Sequence, residues 1–161
     1  DRIREPRSDR EMQAAFSAIY NTRNADYVPL LTSQLSSERM PNRLGAYTAI
    51  GGLPPSATAH LFMPAYERES VDEHRGRAVH AFVKQLAHTG KPPSDLLLKQ
   101  AMAALPTETG TTTRKELVKL IGVAAAAGNT EAVAALRNQF TRELVPQILT
   151  LIGTFVPAEE L

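Results

Sequence analysis

The densest set of side chains able to do chemistry is YERESVDEHRGR, Tyr66 to Arg77. Glu67, Glu69, Asp72, Glu73 and His74 are the residue types that hold a hard or borderline cation, or divide acid and base work, when two or three converge. Their spacing offers a simpler use. Arg68 with Asp72, Asp72 with Arg75 and Glu73 with Arg77 stand three or four residues apart, the separation of ion pairs along a helix surface. A solvated charged face is therefore expected here rather than a metal centre.

Other chemistries lack their residues. His60, His74, His80 and His88 never form the i, i+4 pair that grips zinc from one helix, and H-E-x-x-H is absent. The absence of cysteine removes disulfides, thiolate metal sites and cysteine nucleophiles together. There is no G-x-S-x-G, and HTGKPPS has neither P-loop glycine spacing nor a strand before it. The run Thr111 to Thr113 reads as a loop feeding a helix, where a phosphate would sit favourably near the N-terminus. No catalytic residue, metal ligand or cofactor is expected.

Two apolar stretches suggest contact with another protein. GGLPPSATAHLFMP, Gly51 to Pro64, is richer in apolar groups than a connection needs. It is either core or, where exposed, a partner anchor built from Leu53, Pro54, Pro55, His60, Leu61 and Phe62. VPQILTLIGTFVP near the end poses the same choice. Ile148, Leu149, Leu151, Ile152 and Phe155 leave little polar face, which favours a buried closing helix over a docking one.

The elements that must position these residues are helices. Ser8 with Glu11, Ser70 with Glu73 and Thr113 with Glu116 have the S/T-x-x-E spacing of a capping box. Met12, Ala15, Phe16, Ile19 and Tyr20 form a helical stripe after the first. Val71, Ala78, Val79, Phe82, Val83 and Leu86 follow the second, with Glu73, Arg77, His80 and Lys84 along another face and Gly90 as the stop. Leu117, Leu120, Ile121, Ala124 and Ala125 follow the third, Gly128 ends that helix, and Val133, Leu136, Phe140 and Leu144 make the next stripe. Weaker helices are expected at about 27–36, 41–50, 56–62 and 94–105 and beyond Pro146. No segment alternates as a strand would. The expectation is an all-α fold, a compact irregular bundle of about seven to nine short helices or an irregular stack of αα-hairpins.

LIGVAAAAGNTEAVAAL, Leu120 to Leu136, resembles the middle of an ankyrin repeat in Ala124, Ala125, Gly128, Glu131, Val133 and Leu136. The Thr-Pro that opens such a repeat would fall on Lys119 and Leu120, and no second copy follows. A DNA-reading helix-turn-helix would present Thr130, Glu131 and Asn138 with only Arg137 and Arg142 as cations, a poor phosphate grip. The plainest reading is an αα-hairpin closed by Gly128.

The bulk numbers fit that picture. The chain has 161 residues, 43% of them hydrophobic and 22% charged, which suits one soluble helical domain over residues 1–161. A formal charge of +1 gives no global field toward nucleic acid or an acidic membrane. ILTLIGTFV is about half of a bilayer-spanning helix. DRIREPRSDR lacks an initiator Met and an apolar stretch, so a fragment of a longer protein without a secretion signal is expected, its compartment open. Arg exceeds Lys and Ala is abundant, as in a bacterial effector from a GC-rich genome. The functional expectation is a helical protein-interaction or adaptor domain whose partner is another protein. The alternatives are a scaffold-type, ubiquitin-ligase-like transferase that works by recruitment, and a helical nucleic-acid binder.

Overall fold

Ser8 accepts the amide of Glu11 while the Glu11 carboxylate accepts the amide of Ser8, and this reciprocal box starts α1, Asp9–Thr22. The structure, a computed structural model, describes residues 8–161, and the observations bearing on residues 1–7, including the opening basic run, lie outside it. Among the described residues the fold is all-α, without a strand. Proline at the first turn opens α2 (Val28–Leu35), α3 (Met40–Ile50), α4 (Pro55–Thr58) and, late in the chain, α10 (Pro146–Gly153), each using a position where the missing amide costs nothing. Between them run α5 (Phe62–Arg68), α6 (Asp72–Thr89), α7 (Asp95–Ala104), α8 (Thr111–Ala126) and α9 (Thr130–Phe140). Gly90 and Gly128 take φ values of 62° and 89° and end α6 and α8, as their positions in the sequence predict.

Packing follows chain order. α1 and α2 lie on α3, α3 and α5 on α6, α6 on α8, and α7, α9 and α10 on α8. The result is an irregular bundle with α6 and α8 at its centre. A single core unites Phe16, Ile50, Phe62, Phe82, Leu117, Leu136 and Ile152. At its middle the buried Gln85 amide donates to the Ile50 carbonyl (2.6 Å) and the Thr58 hydroxyl (2.7 Å), fastening α6 to the end of α3 and to α4. The closing helix buries one face, with Ile148 and Ile152 inaccessible and Leu149 and Leu151 partly covered. α8 and α9 form a plain αα-hairpin, and the Asn129 side chain caps α9 by accepting the Ala132 amide.

Several local expectations are corrected. The box at Ser70 does not form, because α6 starts at Asp72 with Val71 as an uncapped N-cap that stays half exposed. Thr113 lies inside α8, whose cap position is Gly110. Leu144 does not continue the α9 stripe, since the helix ends at Phe140 and Leu144 is 90% exposed. The segment at 56–62 divides into α4 and a 3-10 turn, with α5 beginning at Phe62.

Candidate functional site

The polar run from Tyr66 to Arg77 is not one helical face. Extended backbone at Glu69 and Val71 separates α5 from α6, so the i, i+4 pairing of Arg68 with Asp72 is broken. Tyr66, Arg68, Glu69, Asp72 and Arg75 find distant partners instead, whereas Glu73 pairs with Arg77 one turn on. Arg43 of α3 grips Glu69 with Nε (2.6 Å) and Nη2 (3.2 Å), and the Tyr47 hydroxyl donates to the same carboxylate at 2.7 Å. Arg75 holds Glu108 with two bonds of 2.8 Å, while the Tyr66 hydroxyl (2.6 Å) and the Gly110 amide (2.7 Å) complete that carboxylate. The remaining Arg75 nitrogen donates to the Glu69 carbonyl at 2.9 Å, joining the two Arg–Glu–Tyr clusters.

Burial opposes the charge on Glu69 and Glu108, but the arginine and tyrosine hydrogen bonds overcome it and hold both carboxyls below their ordinary range. Burial, reinforced by the neighbouring carboxylates, pushes the Tyr47 and Tyr66 hydroxyls up. A general acid or base works best when poised near neutrality, and these groups are driven away from it. The clusters are fasteners. The expectation of a solvated face fails for Glu69, whose side chain is 3% exposed, and holds for Glu73 with Arg77.

Asp72 and Glu143 act the same way. Asp72 accepts the amides of Thr112 and Thr113 (both 2.9 Å) and the Thr113 hydroxyl (2.7 Å), so α6 caps α8 from across the bundle. Asp72→Ala is expected to lower stability by about 0.5–2 kcal/mol, the range for losing a helix cap, read from urea unfolding. Glu143 accepts the amides of Leu144 and Val145 (both 3.0 Å) and the Gln139 side chain (2.8 Å), pinning the turn that faces Leu144 outward. Burial works against the Asp72 and Glu143 charges too, yet hydrogen bonds keep both carboxyls below their ordinary range. With four carboxyls lowered in the folded state, the unfolded chain takes up protons first as pH falls. Melting temperature is thus expected to hold level above about pH 5 and to fall progressively below about pH 4. A melting curve unchanged down to pH 3, roughly one unit below the unfolded carboxyl range, would contradict these ties.

The candidate anchor between Leu53 and Phe62 is divided by the fold. Leu53, Leu61 and Phe62 are 1–2% exposed and belong to the core, which corrects their reading as a docking surface. Pro54 and His60 are exposed and Pro55 is half-buried at the start of α4, too little apolar surface for an anchor by themselves. The histidines do not converge: His80 meets Glu116 at 2.9 Å, His88 meets the Tyr20 hydroxyl at 3.5 Å, and His74 stands 3.8 Å from Glu69. Among the described residues no group of three or more His, Asp or Glu side chains is placed to hold a metal ion. No helix among them is long and apolar enough to cross a membrane.

A groove of about 500 Å³ lies over α3, between α1 and α6. Pro41, Leu44, Gly45 and Thr48 form its floor. Gly45 lets α1 come close, because a methyl group there would overlap the Phe16 ring. Gln13 of α1 closes one side and donates to the Pro41 carbonyl at 3.1 Å. Arg77, His80 and Lys84 of α6 form the other side. This is the polar face visible in the sequence as the Glu73, Arg77, His80, Lys84 stripe. The floor was not visible there, because it depends on how closely α1 meets α3. Comparison with protein families, curated proteins and solved structures finds no match for this chain, so its function rests on geometry.

Proposed function

We propose that the chain is a helical protein-interaction domain that docks a segment of another protein in the groove over α3. The observation that carries this reading is the contrast between polar groups. The buried carboxylates Glu69 and Glu108 are consumed by internal partners, whereas the groove side chains present charge and apolar surface on three well-packed helices. The floor from Pro41 to Thr48 runs along α3 for about 10 Å, the length of a few residues of extended peptide. A site fixed before binding spends little of its interaction energy on ordering.

A random peptide library selected on the purified chain tests this. Enriched peptides are expected to lose binding to a Thr48→Arg variant, which fills the groove from an exposed position and should change stability by no more than about 0.5 kcal/mol. Failure to enrich any peptide, or enrichment indifferent to Thr48→Arg, counts against the reading.

A further inference from the structure

We infer that the segment held over α3 is acidic, an extended peptide whose carboxylates meet Arg77, His80 and Lys84 and whose aliphatic side chain rests on Pro41 and Leu44. The inference rests on the docking role proposed above. The groove is lined by three basic residues and by no aspartate or glutamate. Lys84 has no carboxylate partner among the described residues; its ammonium stands 5.1 Å over the Tyr20 ring, which positions the charge without neutralising it. Arg77 meets Glu73 at 3.1 Å in a pair exposed on both sides, the kind of contact that exchanges readily for a better one. Glu116 of α8, the partner of His80, is also held by Lys119 at 2.6 Å, so it keeps a cation when His80 turns to a ligand.

Spacing narrows the class. Arg77 and Lys84 are two helical turns apart on α6, about 10.5 Å along its axis. An extended chain advances about 3.3 Å per residue and turns every second side chain to the same face, so carboxylates two or four residues apart, about 7 or 13 Å, bracket that distance and face the α6 wall together. The whole chain carries only +1, so the attraction belongs to this groove rather than to the surface at large.

The peptides enriched on the purified chain supply the test, each remade with Asn and Gln for Asp and Glu and measured by fluorescence polarisation beside a polyuridine oligonucleotide. Enriched sequences are expected to be rich in Asp and Glu, and their amide versions to bind about tenfold or more weakly. Lys84→Glu should abolish binding of the acidic peptide, and a peptide carrying Lys at the matching position should regain it. Added salt should weaken the interaction, since the cations are solvent-facing. If peptides that depend on the groove show no acidic enrichment, or if amide versions bind equally, the acidic preference is overturned and docking survives. If no peptide depends on the groove, both readings fall. Tighter binding of the oligonucleotide than of any peptide would make the occupant a nucleic acid and overturn the inference.

Discussion

Glu69→Ala is expected to lower the unfolding free energy by about 3–5 kcal/mol, the cost of leaving a buried ion-pair partner uncompensated. The carboxylate accepts from Arg43 Nε and Nη2 and from Tyr47, and the Arg43 and Glu69 side chains are 11% and 3% exposed. Removing it leaves the Arg43 charge without a counter-ion, with only Nη1 still bonded to the Ser37 and Glu38 carbonyls, and leaves the Tyr47 hydroxyl unpaired where water has little access. The double variant Arg43→Met with Glu69→Leu should recover the part of the loss that comes from the guanidinium, because an apolar pair there leaves no charge uncompensated, while the Tyr47 hydroxyl stays unpaired. Urea denaturation of the single and double variants measures both. By contrast Asp9→Ala, which breaks a pair with Arg39 exposed by 53% and 60%, should cost no more than about 1 kcal/mol. If Glu69→Ala behaves like Asp9→Ala, the buried cluster is not a fastener.

Phe62→Ala is expected to cost a similar amount, about 3–5 kcal/mol, for a different reason. Phe62 is 1% exposed, stands edge-on to Phe82 at 5.3 Å and stacks on Tyr66 at 6.0 Å. Its loss opens a cavity under α6 and loosens the ring that positions the Tyr66 hydroxyl on Glu108. The variant should unfold at lower urea concentration. The folded fraction should still bind any peptide enriched on the α3 groove, which Phe62 does not line. A Phe62→Ala variant of native stability would return this residue to the surface and revive the segment from Leu53 to Phe62 as an anchor.

Much of the helical layout was legible because it is local. The Ser8–Glu11 box, the stops at Gly90 and Gly128, and the stripe from Met12 to Tyr20 each depend on residues within a turn or two of one another. The candidate site was legible only in part. Arg77, His80 and Lys84 lie on one helix, so their shared face is fixed by periodicity, whereas Leu44, Thr48 and Gln13 join them only after α1 crosses α3. The charged run after Tyr66 misled because i, i+4 spacing assumes an unbroken helix. Glu69 leaves the helical conformation to reach Arg43, a partner 26 residues earlier.

The sequence by itself determined that this protein is helical, that the chain carries no thiol, and that its formal charges nearly cancel. These follow from composition and short-range periodicity. Only the tertiary structure decided which charges are buried fasteners and which face solvent. Glu69 and Glu73 are four residues apart and chemically alike, yet one is enclosed by Arg43 and Tyr47 while the other faces solvent beside Arg77. Burial is a property of how distant segments meet, and it sets whether a carboxylate's hydrogen bonds go to the protein or to water.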